Sequence, residues 1–151
     1  MTKILIVEDD SHKRDNLVNV VRAVKPDADM SLAHSYRSAL SQLLAEPPDL
    51  MILDMSLPTF DISGDEAGGR HRTFAGRDIL FELRRRNVHV RAIIVTQYQE
   101  FGERRSRISL DALTLEMESA FGDVLVCVVH YAASQSSWED ELGSAIRSSL
   151  R

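Results

Sequence analysis

One cysteine among 151 residues cannot close an internal disulfide, so the chain has to be held together by its core, and a reducing compartment is expected. Prolines (4) and glycines (7) are too few for a collagen-like, linker-like or low-complexity chain. Positive charge is in the minority. Eighteen Lys and Arg face 23 Asp and Glu, a net charge of -5 that argues against non-specific binding to nucleic acid, which needs a basic face. No apolar run approaches the ~20 residues of a membrane helix, the longest being Val124 to Val129. The opening Met1-Thr2-Lys3 turns acidic too soon for a secretory leader. These exclusions leave a cytoplasmic protein as the expectation. The length fits one domain over residues 1–151, and 44% hydrophobic residues suffice for a core.

Short apolar runs alternate with helical periodicity. Ile4–Val7 reads as a strand covered on both faces. Leu17, Val20, Val21 and Val24 then form one stripe of a helix, with Ser11 as its expected N-cap and Pro26 closing it. A short strand at Met30–Ala33 precedes a helix over Ser35–Ala45, stopped by Pro47-Pro48. The third strand, Leu50–Leu53, ends at Asp54. A polar stretch from Leu57 to Gly76 leads into a third helix at Arg77–Arg86, then a fourth strand at Ala92–Val95. Gln97 to Ser109 reads as irregular, followed by a helix at Leu110–Phe121 and a fifth strand at Val124–Val129, which carries Cys127 as a buried packing residue. A last helix begins near Ser136, where Ser136 and Glu139 fit a capping box, and presents Trp138, Leu142, Ala145, Ile146 and Leu150. Strands alternating with helices require crossovers, hence an α/β three-layer sandwich around a five-stranded parallel sheet.

In such a sheet, ligands bind beyond the carboxyl ends of the strands. The residues there are Glu8, Asp9 and Asp10 after strand 1, Asp54 after strand 3, Thr96 after strand 4 and His130 after strand 5. Converging carboxylates repel one another unless a cation lies among them, and hard oxygen ligands suit Mg²⁺. With that ion, a carboxylate such as Asp54 could act as nucleophile toward a phosphoryl group while Thr96 donates a hydrogen bond to it. Each residue alone also has an ordinary reading: acids after a strand cap the next helix, and Asp54 before Pro58 suits a turn. Their joint occurrence carries the signal.

Lys3-Ile4-Leu5-Ile6-Val7-Glu8-Asp9-Asp10, Leu53-Asp54-Met55-Ser56-Leu57-Pro58 and Ile93-Ile94-Val95-Thr96 resemble the three main motifs of response-regulator receiver domains in two-component signalling. The resemblance implies a flavodoxin-like, doubly wound fold with strand order 2-1-3-4-5. It implies Asp54 as phosphoacceptor and a Mg²⁺ site made by Asp9 and Asp54 directly, Glu8 through water and the Ser56 carbonyl. Thr96 would be the switch hydroxyl, with Asp10 behind the ligands.

The chain departs from that pattern in three places. The family's lysine and proline after strand 5 are replaced by His130-Tyr131, so His130 is either a lysine replacement, partly protonated near neutrality, or a plain loop residue. The loop at about 58–76 is enlarged and holds Asp61, Gly64, Asp65, Glu66, Gly68, Gly69, Arg70, His71 and Arg72, of which His71 reads as solvated. The connection at about 97–109 is also long and suggests an altered output surface. With Trp138 it looks similar to short, atypical stand-alone receivers.

The resemblance implies a non-enzymatic module. Its partners would be a histidine kinase or phosphotransfer protein and a separate output protein, with homodimerisation open and no direct contact to nucleic acid or membrane. Two alternatives stand beside it. One is a receiver-like interaction domain that no longer uses phosphate, favoured by the missing lysine and opposed by Asp9, Asp54 and Thr96. The other is an aspartate-nucleophile phosphohydrolase, although such enzymes place an Asp-x-Asp pair after the first strand, and here Ser56 stands where a second acid would be.

Overall fold

A computed structural model describes residues 1–62 and 68–150. The central sheet contains β1 (Lys3–Val7), β2 (Asp29–Ala33), β3 (Leu50–Leu53), β6 (Arg91–Thr96) and β9 (Leu125–His130). Its order is β2-β1-β3-β6-β9, with every pairing parallel. Counting only these five strands, that is the expected order 2-1-3-4-5. Helices α1 (Ser11–Val24), α2 (Tyr36–Ala45), α3 (Ala75–Arg85), α4 (Leu110–Phe121) and α5 (Ser137–Ser149) make the crossovers.

Successive strand residues point to opposite faces, and the core divides accordingly. Ile4, Ile6, Leu50, Ile52, Ile93 and Val95 pack against Leu17, Val21, Leu142 and Ile146 of α1 and α5. Leu5, Val7, Met51, Leu53, Ala92 and Ile94 pack against residues of α2, α3 and α4 such as Leu40, Leu80 and Met117. Hydrogen bonds carry the ladder one residue past the strands: the Glu8 amide donates to the Ala33 carbonyl and the Asp54 amide to the Val7 carbonyl. The alternation thus extends to Glu8 and Asp54, which share the α1 side of the sheet with Ile4 and Leu50.

Several local expectations change. Asp10, not Ser11, caps α1, its side chain accepting from the Lys13 amide at 3.2 Å; a carboxylate there also meets the helix's positive end. Ser136 precedes α5 but makes no side-chain cap bond, because its backbone sits in the right-handed helical region rather than the extended one a capping box requires. Helix α3 starts at Ala75, two residues before the expected Arg77. Cys127 lies on β9, which has a neighbour on one side only, so it is half-buried on an edge strand.

Neither long connection is a plain loop. β4 (Leu57–Pro58) and β5 (His71–Arg72) pair antiparallel, and the ladder is continued by the Thr59 amide to the Arg70 carbonyl and the Phe60 amide to the Gly68 carbonyl. The Arg72 guanidinium lies 3.9 Å over the Tyr36 ring, and the Arg37 amide bonds to the Thr59 carbonyl, tying this arm to α2. His71 is exposed, as expected. Gly64, Asp65 and Glu66 lie outside the described residues. In the second connection, β7 (Glu100–Phe101) and β8 (Ile108–Ser109) pair antiparallel around a 3-10 turn at Arg104–Ser106. Phe101 is buried there between Phe74 and Tyr98.

Gly76 sets how closely α3 approaches the end of β3. Its amide donates to the Met55 carbonyl, and a Cβ at this position would stand 2.9 Å from the Asp54 carbonyl oxygen and 3.1 Å from the Met55 Cα. Both obstacles are backbone. Gly76→Ala is expected to destabilise the protein by about 1–3 kcal/mol in urea unfolding despite alanine's better helix propensity. An unchanged midpoint would mean that the Asp54–Met55 segment yields easily.

Burial, helped by the Glu141 and Glu118 carboxylates, pushes the Cys127 thiol up to about 11. Alkylation of the native protein near neutral pH should therefore be slower than that of the urea-unfolded chain by about 100-fold, since each pKa unit removes a factor of ten in thiolate. Equal rates would place the thiol in solvent.

Candidate functional site

At the carboxyl edge of the sheet, Glu8, Asp9 and Asp54 come together. One carboxylate oxygen from each lies within 4.8 Å of the others, Glu8 and Asp54 buried and Asp9 exposed. Residue register explains the meeting: Val7 stands beside Leu53, so the next residue of each strand is a neighbour of the other.

Inside this cluster lies a group the sequence reading missed. Lys13 comes from the first turn of α1, and its side chain is 1% exposed. Its Nζ stands 2.6 Å from Glu8 Oε1 and 3.0 Å from Asp54 Oδ2, and it donates to the Val95 carbonyl at 2.8 Å and to Gln97 Oε1 at 3.1 Å. A signal existed in the sequence. Lys13 precedes Leu17 by four residues and Val21 by eight, and these three are the buried residues of α1. A lysine on the apolar stripe of a helix, one turn from two strand-end acids, is placed to meet them.

The remaining hydrogen bonds fix the acids. Asp54 Oδ1 accepts from the Met55 amide at 2.7 Å, so both oxygens of this carboxylate are engaged. Glu8 Oε2 accepts from the Asp10 amide at 3.1 Å. Asp10 therefore supports the site through its backbone while its side chain caps α1. The Ser56 hydroxyl donates to the Thr73 carbonyl at 2.7 Å, which joins the segment after Asp54 to the start of α3.

Thr96 and His130 sit side by side at the ends of β6 and β9. Thr96 is fully buried, and its hydroxyl oxygen accepts from the Tyr98 amide at 3.3 Å. The His130 Nε2 lies 3.2 Å from the Gln97 carbonyl. Among the described residues, the cation paired with Asp54 is Lys13 and not His130. His130 is also the last residue of β9 rather than part of the following loop.

Two buried carboxylates around one ammonium leave uncompensated negative charge, and Asp9 adds to it at the rim. Burial pushes the Glu8 carboxyl up to about 7, with Lys13 opposing the shift and Asp54 adding to it. An all-oxygen, net-negative cluster with one solvent-facing carboxylate fits a hard divalent cation such as Mg²⁺, which keeps part of its water shell. Asp9 and Asp54 would hold it, with Glu8 behind.

The shift at Glu8 gives stability a pH dependence. The folded carboxyl keeps its proton to higher pH than the unfolded one, so its contribution is complete below about pH 4.5 and is lost as pH rises toward 7. Relative to Glu8→Gln, the wild type should lose on the order of 2 kcal/mol between about pH 5 and about pH 7.5, in urea unfolding with EDTA present. A pH-independent difference between the two proteins would contradict the raised pKa.

The response regulator receiver domain family matches residues 4–115. An uncharacterized protein of Sinorhizobium fredii, y4jR, is 32% identical over 146 residues, 95% of each chain. The Detocs response regulatory protein DtcB of Vibrio alginolyticus is 29% identical over 96% of this chain and 99% of its own. Among solved structures, a receiver domain protein of Clostridium thermocellum superposes with a TM-score of 0.64 at 20% identity, covering 99% of this chain and 94% of that one. The Mn²⁺-bound form of response regulator Rcp1 gives 0.65 at 15% identity, covering 95% and 91%. At these identities the structural likeness is one of fold. A five-stranded sheet in this order, acids at its carboxyl edge and the match over residues 4–115 agree, and the chain belongs to the response regulator receiver domain family of two-component signalling.

Proposed function

We propose that residues 1–151 act as one receiver domain that takes a phosphoryl group on Asp54 with Mg²⁺ and signals through protein contacts. The observation that carries this reading is the gathering of Glu8, Asp9 and Asp54 around one point, with oxygens within 4.8 Å of one another, at the edge where parallel sheets bind ligands. Asp54 would be the nucleophile, since it follows β3, the middle strand of the sheet, and is buried, where a phosphoryl group would be shielded from water. Asp9, Asp54 and the Ser56 carbonyl would hold Mg²⁺, with Glu8 acting through water, and the ion would neutralise charge on the transferring oxygens. Thr96, buried at the end of β6, would be the hydroxyl that follows the new group, and the chain runs from it into the 97–109 ribbon.

The phosphoryl donor would be a histidine kinase or phosphotransfer protein, and the output a separate protein reached through that altered surface, with self-association a further possibility. A cytoplasmic location follows from this role, and no helix among the described residues is long and apolar enough to cross a membrane. The names of the two DtcB relatives, from Enterobacter cloacae and Vibrio alginolyticus, support a response-regulatory role. The reading without phosphate draws on one observation, that both Asp54 oxygens are already engaged.

Incubation of the protein with acetyl phosphate and Mg²⁺, followed by intact mass measurement, separates the readings. The expected result is a gain of one phosphoryl group that disappears with EDTA and in Asp54→Asn. No gain at any Mg²⁺ concentration supports the phosphate-independent domain, and sustained turnover of phosphate esters supports a hydrolase.

A further inference from the structure

Lys3, Lys13 and Lys25 are the chain's only lysines, and Lys13 alone is buried. Removing an ammonium from water is costly unless oxygens replace its hydration. Four oxygens do so here: Glu8 Oε1, the Val95 carbonyl, Asp54 Oδ2 and Gln97 Oε1, at 2.6 to 3.1 Å. An ammonium has three protons to donate. Four oxygens sharing three donors means that one contact is exchangeable, and the longest of them is the one to the neutral Gln97 amide. Residue 13 continues the buried stripe of Leu17 and Val21, where a helix ordinarily carries an apolar side chain, so what distinguishes this position is the set of oxygens its ammonium meets.

We propose that Lys13 is the cationic catalytic residue of phosphoryl transfer to Asp54, its ammonium holding the carboxylate and an oxygen of the incoming phosphoryl group together. The inference rests on the reading of Asp54 as phosphoacceptor. In that step an Asp54 oxygen bonds to phosphorus while the donor's bond to phosphorus breaks, and the bonding pair leaves with the donor, as acetate when acetyl phosphate is used. Lys13 transfers neither proton nor electron. It supplies a fixed positive charge 3.0 Å from the nucleophile, where an anionic carboxylate must approach an anionic phosphoryl group. The phosphoryl oxygen takes the place of Gln97 Oε1. Because Gln97 follows Thr96 and opens the 97–109 ribbon, filling the site releases a side chain at the root of that ribbon.

His130 does not compete for this role. Its ring nitrogen lies against the Gln97 carbonyl, and it forms no ion pair with a carboxylate among the described residues.

The test compares the wild type, Lys13→Met, Lys13→Arg and His130→Ala for phosphorylation by acetyl phosphate with Mg²⁺, read by intact mass. Lys13→Met should lose at least tenfold in rate, Lys13→Arg should recover part of the loss, and His130→Ala should stay within about twofold of wild type, a tenfold effect corresponding to 1.36 kcal/mol. Undiminished phosphorylation of Lys13→Met overturns the Lys13 assignment alone. No phosphorylation of the wild type overturns the Asp54 reading and this inference with it. Because Lys13→Met leaves two buried acids without their cation and so puts folding at risk, a second measurement uses the wild type. With the side-chain nitrogens of its three lysines labelled, beryllofluoride and Mg²⁺ should shift the Lys13 signal and leave those of Lys3 and Lys25 in place. A Lys13 signal that does not move overturns the inference.

Discussion

A buried ammonium between two buried carboxylates is the constraint around which the carboxyl edge of this sheet is organised. Lys13 reaches Glu8 and Asp54 because only three residues separate β1 from α1, which Asp10 caps and which turns its first buried position toward the sheet. The Val95 carbonyl at the end of β6 takes a third contact, so one side chain joins β1, β3 and β6. Loss of the ammonium would leave two carboxylates unpaired in a place water does not reach, which costs more than the pairing contributes when complete. The same arrangement keeps the acids close enough to repel and so ready for a divalent ion.

The five core strands and five helices were legible because long apolar periodicities leave few alternatives: Ile4–Val7 and Leu50–Leu53 are buried on both faces, and Leu17 and Val21 mark a single helical side. The strand-end acids followed from where the strands stop. Lys13 was not legible in the same way, since lysine is normally found in solvent and its burial depends on partners 41 and 82 residues away in the sequence, at Asp54 and Val95. The two antiparallel ribbons were also missed. Each pairs only two residues per strand, and their strands carry polar residues such as His71, Arg72, Glu100 and Ser109, so no alternation announces them. Ser11 and Ser136 looked like caps by residue type, but capping depends on the backbone conformation of the preceding turn, which side-chain identity does not fix.

The ribbons extend the sheet's functional edge in two directions. The β4–β5 arm is fastened to α2 by Arg72 on Tyr36, while β7–β8 rests Phe101 against Phe74 at the start of α3. Both begin within a few residues of a site group, the first after Asp54 and Ser56, the second after Thr96 and Gln97. Neither needs the parallel sheet for its own hydrogen bonds. Their backbone pairing is thus separate from that of the strands that hold the acids, while Leu57 and Phe101 anchor them in the same core, and the exposed parts are the ones left to carry recognition.

The contact between Lys13 and its two acids also limits how the chain can evolve. Positions 8, 13 and 54 hold charges that cancel only in part and only together. A neutral residue at 13 would strand two buried anions, and neutral residues at both 8 and 54 would strand a buried cation. Loss of the charge at 13 alone is therefore opposed, and lineages that give it up should do so through coupled replacements at 8 and 54. Position 130, which bears none of this charge, is free to diverge.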